Sequence, residues 1–93
     1  MNFLLVDDHS LIVQALSVLL KAKFEGAQVL TGSTAEDARA LVREHSEDTD
    51  LLILDLNLPG VQTPTSLLEE LVQTNPALKI LVLSGIVDQA NIM

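Results

Sequence analysis

Four short apolar stretches, residues 3–6, 27–31, 51–54 and 79–83, alternate with longer segments in which apolar residues return every three or four positions. Short apolar runs suit strands buried on both faces, and the longer period suits amphipathic helices. Over residues 10–23, Leu11, Ile12, Ala15, Leu16, Val18, Leu19 and Leu20 oppose Gln14, Ser17 and Lys21, which predicts a first helix with a broad buried face. Ser33-Thr34-Ala35-Glu36 matches a capping box, in which Ser and Glu reciprocally satisfy free backbone amides. A second helix is therefore expected from that point to the region of Glu44 to Ser46, with Ala35, Ala38, Leu41 and Val42 on one face. Asn57-Leu58-Pro59-Gly60 is turn chemistry, and Pro64 fits the first position of a third helix that turns Leu67, Leu68, Leu71 and Val72 inward. Asn75-Pro76 closes it, and residues 86–93 read as the start of a further helix.

The resulting order, βαβαβαβ, implies a parallel sheet with right-handed crossovers. The expected architecture is an α/β, flavodoxin-like doubly wound sheet of order 2-1-3-4, with the site at the carboxyl ends of the first and third strands. No repeat or interdomain linker interrupts the pattern, so residues 1–93 are expected to form a single domain.

Composition narrows the chemistry. Two Phe are the only aromatic residues, so the core must be built from Leu, Val, Ile and Ala. Thirteen acidic against five basic residues give a net charge of -8, which disfavours direct nucleic-acid binding and invites cations. Cysteine is absent, which removes disulfides and thiolate metal sites. No apolar run approaches the ~20 residues of a spanning helix, and Met1-Asn2 leads into a strand without a basic region or cleavage site. No membrane contact and a cytoplasmic location are the corresponding expectations.

The first and third strands both end in acids, at Asp7-Asp8 and at Asp55. If those strands are neighbours, three carboxylates converge and repel one another unless a cation joins them. Hard oxygen donors with room for water suit Mg²⁺, and a carboxylate can itself attack phosphorus. Asp55, directly after the central strand, is the best nucleophile. Each residue also has an ordinary structural reading: an acid pair before a helix commonly caps it, and an Asp at a strand end commonly starts a turn. His9 reads as a surface residue at the helix start, and His45 as a partner of a helix dipole. Thr31-Gly32-Ser33-Thr34 offers a weak phosphate-loop reading, already accounted for by the capping box.

Val6-Asp7-Asp8-His9, Leu54-Asp55-Leu56-Asn57-Leu58-Pro59-Gly60 and Val82-Leu83-Ser84-Gly85 resemble, in order and spacing, the three main motifs of the receiver domain of two-component response regulators. Asp-Asp-His after the first strand and Leu-Ser after the fourth look like the subfamily that carries a LuxR-type helix-turn-helix output domain. The resemblance implies a signalling phosphoacceptor rather than an enzyme. Asp55 would accept a phosphoryl group from a sensor histidine kinase. Asp7, Asp8, Asp55 and the main-chain carbonyl of Asn57 would hold Mg²⁺, and Ser84 would meet the phosphoryl group as the switch hydroxyl.

A full receiver continues to a fifth strand bearing a Lys and to a last helix, which these 93 residues do not reach. Without that Lys, slow or absent phosphorylation is expected unless another chain contributes, together with self-association through an exposed fourth strand or an uncovered helix face. The alternative reading is therefore an inactive, shortened receiver serving as an interaction or dimerisation module. An aspartate-nucleophile phosphohydrolase would place Asp-x-Asp after its first strand, which Asp7-Asp8-His9 lacks, and flavin binding rests only on the weak loop.

Overall fold

The computed structural model describes residues 1–59 and 63–83. Within them the chain runs β1 (Asn2–Val6), α1 (Ser10–Lys23), β2 (Gln28–Gly32), α2 (Ala35–His45), β3 (Leu51–Asp55), α3 (Pro64–Thr74) and β4 (Ile80–Leu83). The four strands form one parallel sheet in the order β2-β1-β3-β4, as the sequence pattern predicts. The two central strands are the most buried, because among the described strands only they have a neighbour on each edge. In β1 and β3 the last four residues are buried, whereas β2 and β4 are partly exposed.

Alternation along the strands divides the core. Leu4, Val6, Leu52 and Leu54 pack with Ala35, Ala38 and Val42 of α2 and with Leu67 and Leu71 of α3. Leu58 joins this cluster from the loop after β3 and anchors it. Phe3, Leu5 and Ile53 are buried outside that cluster, and the Phe3 ring meets Phe24 at the end of α1 with centroids 5.4 Å apart. On the surface, Arg39 of α2 donates from Nε to Glu70 Oε2 of α3 at 2.7 Å and from Nη1 to Glu36 Oε1 at 3.0 Å. Being exposed, these pairs add little beyond alignment of the two helices.

Three expectations are corrected. The broad buried face of α1 is absent: none of its residues is buried, and Leu11 and Val18 are 77% and 67% exposed. Its apolar arc is wider than the strip that the sheet covers, and among the described residues no second helix packs on that side. In α3, Leu67 and Leu71 are buried and Leu68 packs against the core, but Val72 turns to solvent. The cap of α2 lies one residue later than expected. Thr34 is the N-cap and its hydroxyl accepts the Asp37 N–H at 3.1 Å, while Asp37 Oδ2 accepts the Ser33 N–H at 2.9 Å.

That shift follows from Gly32. A Cβ there would lie 2.6 Å from Asp37 Cβ, so a glycine lets β2 run up against the first turn of α2. Asp37 also settles the phosphate-loop reading, since a carboxylate already takes one of the amides that a phosphate would need. The expected helix start at residues 86–93 lies outside the described residues.

Candidate functional site

β1 and β3 are adjacent and parallel, with Val6 paired to Leu54, so the acids that follow these residues emerge at the same level of the sheet. Asp7 and Asp55 are the buried polar residues of the described chain, each 4% exposed. Both end their strands in the same way. Asp7 Oδ1 accepts the N–H of His9 at 2.9 Å, and Asp55 Oδ1 accepts the N–H of Asn57 at 2.9 Å. An Asp that bonds the amide two residues on folds the chain back over its own carboxylate. Each strand therefore stops at the acid and directs the following loop past the site. Asp7 is held further by its own N–H, which donates to the Gly32 carbonyl at 3.1 Å.

Asp8 stands at the surface beside this pair. Of the acids identified from sequence, the structure thus brings Asp7, Asp8 and Asp55 together. Asn57 is placed by its amide bond to Asp55, whereas Ser84 and Gly60 lie outside the described residues.

His9 is the residue that sequence reasoning missed. It is the N-cap of α1, but its side chain makes no cap bond. The ring turns back instead, placing Nδ1 at 2.7 Å from Asp7 Oδ1, 3.1 Å from Asp8 Oδ1 and 3.8 Å from Asp55 Oδ2. The signal was present in Asp7-Asp8-His9: once Asp7 accepts the amide of His9, the loop reverses and the imidazole is returned to the carboxylates. One donor atom from each of Asp7, Asp8, His9 and Asp55 lies within 4.8 Å of the others.

The electrostatics are those of crowded acids. Burial, with Asp7 and Asp8 adding negative charge, holds the Asp55 carboxyl above its ordinary 3.8, against the opposing pull of the Asn57 N–H. The bond to Asp7, then the charge of Asp8, holds the His9 imidazole above its ordinary 6.5. Among the described residues no Lys or Arg pairs with these acids. Three hard oxygen donors at a strand end, unsupported by fixed positive charge, match the donor set that Mg²⁺ accepts alongside water.

The chain is similar to known proteins in sequence and in structure. In sequence, the chain is 35% identical over 60 residues to the glycerol metabolism activator of Pseudomonas putida, a match covering 64% of this chain and 27% of that protein. In structure, it resembles a response regulator receiver domain protein from Clostridium thermocellum, with a TM-score of 0.81 and 28% identity over 97% of this chain and 69% of that one. It also resembles a chain in the complex of the histidine kinase ThkA with the response regulator TrrA, with a TM-score of 0.72 and 30% identity over 90% of this chain and 68% of that one. The model of the response regulator receiver domain matches residues 3–93, a span that includes every acid of the site. On that match, the chain belongs to the response regulator receiver domain family.

Proposed function

We propose that this receiver domain is a phosphoacceptor, with Asp55 as the residue that takes the phosphoryl group from a histidine kinase. The observation that carries the reading is the convergence of Asp7, Asp8 and Asp55 at the carboxyl ends of adjacent strands, where no Lys or Arg among the described residues neutralises them. Carboxylates gathered in this way are costly unless positive charge joins them.

Asp7, Asp8, Asp55 and the main-chain carbonyl of Asn57 would hold Mg²⁺. The metal would supply charge neutralisation for the phosphoryl oxygens. The Asn57 N–H fixes the Asp55 carboxylate by one oxygen and leaves Oδ2 turned toward His9 and the open side of the cluster. A carboxylate oxygen then attacks phosphorus. The O–P bond forms as the P–N bond of the donor phosphohistidine breaks, and the donor imidazole leaves with the electron pair. Ser84 would meet the phosphoryl group. Kinship with a structure solved as a kinase–regulator complex supports a histidine kinase as the donor. The Asp-Asp-His motif favours a transcriptional regulator of the LuxR-type output class, in a cytoplasmic setting.

The test is incubation with acetyl phosphate and Mg²⁺. Intact mass should rise by one phosphoryl group, and Asp55→Ala should abolish the gain. An adduct that persists in Asp55→Ala, or none with any donor, rejects the proposal.

A second reading, a module that self-associates, is favoured by one observation: Leu11, Val18 and Leu19 on α1 and Leu81 on β4 are all exposed. Concentration-dependent sedimentation tests it, and a monomer at the highest concentration reached rules it out.

A further inference from the structure

The geometry points to His9 as a fourth donor of the acidic site: we propose that its Nδ1, with Asp7, Asp8 and Asp55, forms a mixed nitrogen–oxygen site selective for a first-row divalent cation such as Co²⁺, Ni²⁺ or Zn²⁺ over Mg²⁺. The inference rests on the cation-binding part of the proposed function and adds the class of ion.

The placement of the ring is specific. Nδ1, the nitrogen on the inner side of the ring, sits between the oxygens of Asp7 at 2.7 Å and Asp8 at 3.1 Å, with Asp55 at 3.8 Å. All four donors lie within 4.8 Å of one another. Ligands on opposite sides of a Zn²⁺-sized ion stand ~4 Å apart, so one ion can serve all four after small side-chain adjustments. The His9 backbone is anchored independently of its ring, since its N–H donates to Asp7 at 2.9 Å and its carbonyl accepts the Val13 N–H at 3.0 Å. Removing the imidazole therefore leaves the loop in place. The His9 side chain is 63% exposed, so an ion can enter from solvent, displacing to solvent the Nδ1 proton that bridges to Asp7 and leaving the ring proton on Nε2.

The donor set decides the preference. Three carboxylates alone suit Mg²⁺, Ca²⁺ and Mn²⁺, and imidazole raises affinity for Zn²⁺, Ni²⁺ and Co²⁺ while doing little for Mg²⁺.

Isothermal titration of the metal-free protein with Co²⁺ and with Mg²⁺ tests this, comparing the unaltered chain with His9→Gln, His45→Gln and Asp55→Asn. His9→Gln should weaken Co²⁺ by at least about tenfold, the lower end of what loss of a metal ligand's supporting group costs, and leave Mg²⁺ within about twofold. His45→Gln should change neither. In the NMR spectrum, Zn²⁺ should move the His9 Nδ1 resonance and leave that of His45. Equal effects of His9→Gln on both ions, or none on Co²⁺, overturn the assignment of His9. Failure of the acidic site itself gives a different result: both ions would then be insensitive to Asp55→Asn.

Discussion

Asp7 and Asp55 stand side by side at the ends of adjacent strands, each accepting the backbone N–H of the residue two positions on, at 2.9 Å. Two buried acids are thereby fixed in each other's field. Because Asp55 titrates above its ordinary 3.8, the folded state favours its protonated form. Stability from this group is present at low pH and is lost as pH rises through the folded value. In chelator, Asp55→Asn should therefore melt higher than the unaltered protein near neutral pH, with the difference closing toward pH 4. A lower melting point for Asp55→Asn near neutral pH would contradict this origin of the shift.

Mg²⁺ should raise the melting temperature of the unaltered chain, since a ligand bound only by the folded state adds ~2.7 kcal/mol at one hundred times its Kd. Differential scanning fluorimetry over a Mg²⁺ series should show a saturable rise that Asp55→Asn greatly reduces.

Gly32 should tolerate no side chain. Gly32→Ala places a Cβ 2.6 Å from Asp37 Cβ, and relieving that overlap by moving β2 or α2 should cost ~1–3 kcal/mol in urea unfolding.

The cap of α2 is separable by mutation. Thr34→Ala should cost ~1 kcal/mol, whereas Ser33→Ala should cost little, because Ser33 acts chiefly through its backbone N–H. The Asp37 carboxyl is held below its ordinary 3.8 chiefly by the Ser33 N–H, so its contribution is present above that value and is lost as pH falls through the folded one. Chemical denaturation in the acid range, comparing the unaltered chain with Asp37→Asn, should show the difference vanish there.

Core and surface leucines should separate sharply. Leu71→Ala, at a fully buried position, should cost ~2–5 kcal/mol. Leu11→Ala, on the exposed arc of α1, should stay within ~0.5 kcal/mol in urea unfolding.

The sequence by itself determined the seven elements, their order and the acids that end β1 and β3. Those follow from local rules: apolar runs too short for helices, a three-to-four residue period between them, and turn residues at the boundaries. Even the α2 cap was misread by only one position, because Ser33 and Thr34 are chemically equivalent caps and the choice depended on how closely Gly32 lets Asp37 approach. Tertiary structure decided what no local pattern encodes. Pairing β1 with β3 made one site of residues far apart in the chain, and the reversal after Asp7 carried His9 from an ordinary helix start into that site. It also decided which arc of α1 is covered. A helical period says that a face is apolar, but burial depends on what the fold sets against it, and here the sheet reaches only part of that arc.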